Sequence, residues 1–427
     1  MDTIFALATA PGKSGVAVIR VSGPVAVASC RAFGFEPPEA RKSSLRQLTH
    51  ADRGFIDEAL VLTFEEGASF TGEPVVEFHV HGSLAIINAV LNSLKTLPGF
   101  RAADAGEFTR RALVNGRLDL TQVEALSDLI EAETEMQRKQ ALNGFTGHLR
   151  EKAETWRTDL IHALALLEAT IDFADEEVPV DVSEDVMRLL NGVITTIETE
   201  LNGFGVAERV RTGFEVAIVG PPNAGKSTLL NALAGRDAAI TSEIAGTTRD
   251  VIEVRMDLDT LPVTFLDTAG LRETQDQVES IGIQRAIDRA AAADLRVFLK
   301  GEGEFELITP KSHDIVVQGK ADLFPQSEAV SGVTGAGVQN LVDRVKEFLL
   351  SRATSAGLVS HTRQKDVLME GCLYLKNCQR LVESGPEHYD LAAEDLRLAV
   401  FALERLVGRV DVEDVLDKVF SSFCIGK

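Results

Sequence analysis

The stretch Val216–Leu233, VAIVGPPNAGKSTLLNAL, lies midway along the chain and leaves its surroundings few ways to fold. Gly220–Ser227 fits the spacing G-x-x-x-x-G-K-[ST], directly after the apolar run FEVAIV and before a segment with helical spacing. Strand, glycine-bounded turn and helix in that order separate a phosphate-binding loop from a chance glycine turn. The glycines let backbone N–H groups wrap phosphate oxygens, and the positive end of the following helix adds to the field. Lys226 is expected to reach the β- and γ-phosphates and Ser227 to ligate Mg²⁺, with Asn223, Ala224, Gly225 and Thr228 lining the same loop.

Two further segments complete a nucleotide site. VTFLDTAG places Asp267 at the end of an apolar run, where a carboxylate supports Mg²⁺, and Thr268, Ala269 and Gly270 follow toward the γ-phosphate. Between the two motifs, SEIAGTT (Ser242, Glu243, Ile244, Ala245, Gly246, Thr247, Thr248) forms the remaining wall, with Thr248 as second Mg²⁺ ligand. Leu271 follows DTAG and cannot orient an attacking water as a glutamine would. Another residue or an ion must then help, and the candidates for positioning the water lie in the acidic stretch RETQDQVES, above all Glu279. On the base side, VVQGKADL carries Gly319, Lys320, Ala321 and Asp322. Asp322 accepts from guanine N1 and N2, a pairing adenine cannot reproduce. Gly319 stands where a guanine reader carries asparagine, so weak guanine binding is expected, with Gly319→Asn changing GDP affinity. VSGVTGAG supplies backbone contacts from Ser331, Gly332 and Val333.

A nucleotide domain needs less than half of 427 residues, and the length allows two or three domains. The formal charge of −22 argues against broad adhesion to nucleic acid or anionic membrane. Nucleic acid must then be held by a local basic groove or by a second protein. No apolar run reaches the roughly 18 residues of a membrane helix, and MDTIFALATA lacks the basic start of a signal peptide. Cys30, Cys372, Cys378 and Cys424 are irregularly spaced and make no disulfide or zinc framework. A cytoplasmic location is the expectation.

The pattern along the chain predicts a multidomain α/β protein. Residues 1–118 read as an α+β domain: TIFALATA and GVAVIRVSG are strands around a Pro-Gly turn, VVEFHVHG is another, and SLAIINAVLNSLKTL is a helix. Residues 119–210 are persistently helical, with a corner inside RKQALNGFTGHLREKAETW. Residues 211–353 alternate as in a Ras-like P-loop domain, a mostly parallel sheet with flanking helices. Helical spacing returns over 354–427. The economical reading packs the two helical stretches into one all-α domain, with the nucleotide domain inserted at an exposed loop.

ATAPGKSGVAVIRVSG, FTGE, GEFTRRALVNGRLDLTQVEAL and the ending FCIGK, taken with Leu271 and the insertion, resemble the MnmE (TrmE) family of tRNA-modifying GTPases over essentially the whole chain. The resemblance implies a 5-formyl-tetrahydrofolate-type donor held in a dimerising N-terminal domain by Arg20, Glu77, Arg117 and Lys427. It places Cys424 near the folate for one-carbon chemistry, the alternative being a small buried residue near the tail. Glu77, His79 and His81 share one strand face, but a metal there lacks a further ligand set. The resemblance also implies K⁺ in place of an arginine finger, held by Asn223, Ser242, Ile244 and Thr247, with Glu279 orienting water. Its partners are a second copy of the chain, tRNA, GTP/GDP and the flavoprotein MnmG, which carries FAD. Together they are implied to install an aminomethyl or carboxymethylaminomethyl group at C5 of the wobble uridine. Two other readings stay open: an Era- or EngA-like ribosome-assembly GTPase, and a nonhydrolysing scaffold hinted at by Gly319.

Overall fold

The computed structural model describes residues 2–172, 181–236, 238–240, 253–267, 287–301, 309–324, 328–353 and 356–410, with Leu416, Val419, Phe420, Phe423 and Gly426. They fall into two compact units, Met1–Ser127 with Glu404–Lys427, and Asp128–Leu403.

In the first unit, β-branched residues build β1 (Thr3–Leu7), buried along almost its whole length, and β2 (Ser14–Ser22) and β5 (Val75–Gly82), where burial alternates. With β3 (Ser44–His50), β4 (Gly54–Phe64) and β6 (Phe100–Ala102) they form a six-stranded sheet in the order β3-β4-β5-β2-β1-β6. Only β1 and β6 pair in parallel. The short helix α1 (Ala28–Ala32) and α2 (Leu84–Lys95) accompany a core of Ile19, Val21, Leu48, Phe78 and Leu94. Phe33 and Phe78 meet edge to face at 5.3 Å between centroids. Beyond α3 (Glu107–Val114), Leu120 and Val123 at the start of α4 (Leu120–Glu131) bury Leu416, Phe420 and Phe423 from the chain's end.

An ion network explains why FTGE and the arginines downstream belong together. Glu73 accepts from Ser22 Oγ at 2.7 Å and from Arg111 Nη1 at 3.1 Å. Arg111 also bonds Asp2 and Glu107, and Arg101 bonds Glu107 at 2.6 Å. The side chains of Arg111 and Glu73 are only 12% and 10% exposed. Burial pushes the Glu107 carboxyl up, but hydrogen bonds from Arg101, the Asp104 amide and Arg111 together hold it below the usual range. Arg101 does the same for Asp2.

The second unit holds both helices and the nucleotide sheet. α5 (Glu135–Phe145) and α6 (His148–Asp172) turn at Thr146–Gly147, and α7 (Ser183–Thr212) runs to the start of the sheet. β7 (Phe214–Val219), β8 (Glu253–Leu258), β9 (Leu261–Asp267), β10 (Leu295–Lys300), β11 (Ile315–Gly319) and β12 (Ala329–Val330) lie in the order β12-β11-β10-β7-β9-β8. All are parallel except the β8–β9 hairpin. α8 (Lys226–Ala234) and α9 (Val338–Ala353) flank the sheet and bury Leu230, Leu233, Val345 and Leu349 against it. α10 (Thr362–Ser384) packs back on α7, where Lys376 pairs with Glu198 at 2.6 Å and Gln379 Nε2 donates to Asn191 at 2.8 Å. α11 (Tyr389–Val407) follows. The helical body is thus built from chain on both sides of the nucleotide sheet. Among the described residues, no helix is long and apolar enough to cross a membrane.

Removing Arg111 strands carboxylates in a poorly hydrated site. Arg111→Met is expected to cost about 3 kcal/mol, read from urea unfolding of the full chain near neutral pH. Because Glu107 and Asp2 titrate lower folded than unfolded, their contribution is complete above the ordinary carboxylate pKa and disappears as pH falls through the depressed values. The gap between wild type and variant should therefore close in acid, and a gap independent of pH would contradict this.

Candidate functional site

Everything on the phosphate side gathers where β7 ends. The strand is almost wholly buried, and the chain turns through Asn223 (φ 62°) and Gly225 (φ 98°) before α8 begins. The left-handed backbone at these positions curls the loop into a concavity at a helix N-terminus, the geometry that receives phosphate. Lys226 is buried and arches back, donating to the carbonyls of Gly220 at 2.9 Å and Pro221 at 3.0 Å. Parallel pairing of β7 with β9 sets Ile218 beside Asp267. Ser227 Oγ consequently donates to Asp267 Oδ2 at 2.6 Å. A hydroxyl oriented by a carboxylate in this way fits Mg²⁺ between them and the phosphates.

The base side lies at the same sheet edge. Ser331 Oγ donates to Asp322 Oδ1 at 2.6 Å and accepts from the amides of Val333 and Thr334 at 3.2 Å. This holds an exposed carboxylate in place for ring N–H donors. Ala321 N donates to Val330 O at 3.1 Å, joining the two base loops. Lys320 sits at φ 59° and is exposed, and Val333 is 75% exposed. Gly332 rests against α8: a Cβ there would lie 2.4 Å from Thr228 O.

Gly319 has a packing role that its place in the base motif does not announce. A Cβ built on it would lie 2.4 Å from the Ala224 carbonyl oxygen and 3.3 Å from that of Lys300. Gly220 is as close to β10, where a Cβ would meet Leu299 O at 2.6 Å. The phosphate loop is therefore seated backbone to backbone on the ends of β10 and β11. The position is a packing requirement, and asparagine does not fit without displacing the loop.

Ser242, Glu243, Ile244, Ala245, Gly246, Thr247, Thr248, Thr268, Ala269, Gly270 and Glu279 lie outside the described residues. Of the four K⁺ positions, only Asn223 is described, and its left-handed turn places it at the loop's crest.

In the other unit, cross-strand register sets Arg20 opposite Glu77, and Arg20 Nε donates to Glu77 Oε1 at 2.8 Å. The guanidinium lies over the Phe70 and Phe108 rings at 5.9 and 5.8 Å. Its Nη1 reaches Gly426 O at 3.4 Å, so the chain's end arrives at this pair. His79 Nε2 stands 3.5 Å from the second Glu77 oxygen and is buried without a hydrogen-bond partner among the described residues. An acceptor carboxylate beside arginine and aromatic rings fits a flat heterocycle with amide donors. Arg117 is exposed and borders the same loop: a Cβ built on Gly72, two residues past Phe70, would lie 3.3 Å from its Cγ. Cys424 and Lys427 lie outside the described residues. Of the described cysteines, Cys30 and Cys378 have thiols pushed up to about 12 by burial, which suits packing and not nucleophilic work.

The Ser331–Asp322 bond was missed by sequence reasoning, although the serine ahead of the glycine was visible. His79 was read only as a metal candidate, and its alternation with Glu77 was the available signal.

Comparison with known proteins covers both units. Residues 3–117 match the family model described as GTP-binding protein TrmE N-terminus, and residues 120–424 match the MnmE helical domain. The chain is 59% identical to the tRNA modification GTPase MnmE of Cereibacter sphaeroides and 57% identical to that of Roseobacter denitrificans, each over 100% of both chains. Among solved structures, Aquifex aeolicus Era bound to GDP·AlF4⁻ is 29% identical over 32% of this chain and 56% of that one, with a TM-score of 0.26.

Because Gly319 seats the phosphate loop, Gly319→Asn should weaken binding of a fluorescent GDP analogue by about tenfold, as overpacking of a buried contact does. Tighter binding would show that the asparagine slot is open after all.

Proposed function

The chain belongs to the MnmE (TrmE) family and is a tRNA-modification GTPase, and from that premise we propose that it runs a K⁺-gated GTP cycle coupled to folate-dependent chemistry on the wobble uridine. The observation that carries the nucleotide half is the Ser227–Asp267 bond beneath the phosphate loop, on the same sheet edge as Asp322.

Loop amides and Lys226 bind the phosphates, while Asp322 and the Ser331–Val333 backbone select guanine. Ser227 and Thr248 would hold Mg²⁺, which would supply positive charge to the phosphates, and Asp267 orients the serine hydroxyl. Asn223, Ser242, Ile244 and Thr247 hold K⁺, which supplies positive charge where the transition state accumulates negative charge. Glu279 orients the attacking water, replacing the side chain that Leu271 lacks. In the other unit, Arg20, Glu77, Arg117 and Lys427 hold a 5-formyl-tetrahydrofolate-type donor, which supplies the one-carbon unit. Arg20 fixes the Glu77 carboxylate toward the ring, and Phe70 and Phe108 exclude water from it. The chain works as a homodimer through its N-terminal domain and with the flavoprotein MnmG, to which the FAD belongs. The nucleotide domain, taken as residues 211–353, is inserted in the helical body so that its closure moves that body.

GTP turnover by the purified chain should rise at least about tenfold when KCl replaces NaCl, in keeping with a cation acting as an arginine finger does. Turnover indifferent to the cation would refute the gating. Glu77→Gln should weaken 5-formyl-tetrahydrofolate binding by calorimetry while leaving GTP turnover at the wild-type rate; equal folate affinity would remove Glu77 from that site.

A further inference from the structure

Both connections of the nucleotide domain pass through one point. The chain leaves α7 through Arg211–Gly213 and returns through Ser360, and Arg211 Nε donates to Ser360 O at 3.0 Å. Helix α5 is fastened to that point, because Gln137 Nε2 donates to Arg211 O at 3.0 Å. The other end of the same amide does different work. Gln137 Oε1 accepts the backbone N–H groups of Glu133 and Thr134, both at 3.0 Å, and closes a capping box with Thr134. One side chain caps α5 with its oxygen and ties the hinge with its nitrogen.

The first turn of α5 also holds the tip of the β8–β9 hairpin, where Met136 N donates to Thr260 O at 3.3 Å. Asp259 (φ 49°) and Thr260 (φ 85°) form the two-residue turn. Positive φ at both positions gives the tight turn its twist, but Asn-Gly takes it without cost and a β-branched threonine does not. Such strain persists where surrounding contacts impose it, and it concentrates in elements that move. In sequence, β8 follows the stretch carrying Ser242, Ile244, Thr247 and Thr248, so the hairpin continues the segment that senses nucleotide. A cavity of about 590 Å³ separates the hairpin from α4 and α5, bordered by Glu131, Gln140, Arg255 and Pro262. Gln140, on that border, is fixed to α7 by its Nε2, which donates to Ala207 O at 2.8 Å. The cavity gives the hairpin room on the side of α5.

We propose that Gln137 is the positioning residue through which the nucleotide state reaches the helical body: the hairpin pushes on the first turn of α5, and the Gln137 amide passes the displacement to the paired hinge strands at Arg211 and Ser360. This rests on the reading that GTP turnover drives modification.

Gln137→Glu isolates the claim. Glutamate serves a capping box as well as glutamine does, so the helix cap is retained while the donor to Arg211 O is lost. GTP turnover of the full chain and its melting temperature should stay near wild type, while modified wobble uridine in tRNA from cells carrying only this variant falls about tenfold, a typical coupling factor. Arg211→Met keeps the carbonyl that Gln137 binds and removes the Nε donor to Ser360 O, so it breaks the next link of the same relay. It should give the same split, and the double variant should be no worse than the poorer single one. Wild-type modification in both variants, or modification lost in proportion to GTP turnover, overturns the proposal. If Gln137→Glu lowers the melting temperature, Arg211→Met decides alone by the same split. Lys226→Ala serves as the control: modification surviving without GTP turnover would sink the premise of coupling and not the role of Gln137.

Discussion

The nucleotide domain hangs from the helical body by two strands of chain that are pinned to each other, and the Arg211–Ser360 bond is the pin. An inserted domain so attached cannot drift freely. Its two connections are tied to each other at one place, so on the proposed reading a displacement there is passed to the helices on either side. β7 begins immediately after the hinge at Phe214 and runs, buried, straight to the phosphate loop. The outer side of this root is stapled as well. Arg209 of α7 pairs with Asp294 at 3.0 Å, and Asp294 accepts from the Glu215 amide at 2.9 Å. Burial raises the Asp294 carboxyl despite these partners, as expected for a charge held in a packed joint.

Two kinds of close approach give the nucleotide site its shape. Side chains converge where charge must be placed, as Ser227 does on Asp267 and Ser331 on Asp322. Backbones converge where the loop must be supported, at Gly220 and Gly319. The second kind links the phosphate end to the base end through Ala224, so neither can shift far without the other. A position that ordinarily carries a guanine-reading amide here carries support for the phosphate loop, and under the proposed function base selection falls to Asp322 and the loop after β12.

Much of this was legible in the sequence, for physical reasons. Gly220–Ser227 announces itself because phosphate geometry dictates residue types at fixed spacing, and Asp267 followed because a parallel neighbour strand must end beside it. Arg20 and Glu77, far apart in the chain, do meet across β2 and β5. The β3–β4 hairpin escaped notice because β3 buries only Leu48 while β4 turns Asp57, Ala59 and Thr63 inward and leaves Leu60 outside, and β8 escaped because glutamate, arginine and aspartate interrupt it. The supporting role of Gly319 was not legible because a motif names the missing side chain but not the carbonyl that lies in its place. Gln137 was invisible for a related reason: a capping residue shows in one turn of sequence, whereas its second bond crosses to Arg211, far along the chain. Local rules reach what one segment does for itself. They do not reach what it does for another.

Hydrogen exchange of the full chain, followed by mass spectrometry in GDP and in a nonhydrolysable GTP analogue with K⁺, tests the coupling most directly. The Met136 amide reports the hairpin contact itself, since its hydrogen is held by Thr260. Protection at residues 134–137 should change between the two nucleotide states together with residues 258–261. If the phosphate loop responds to nucleotide while α5 exchanges at one unchanged rate, the hinge is passive and the coupling runs elsewhere.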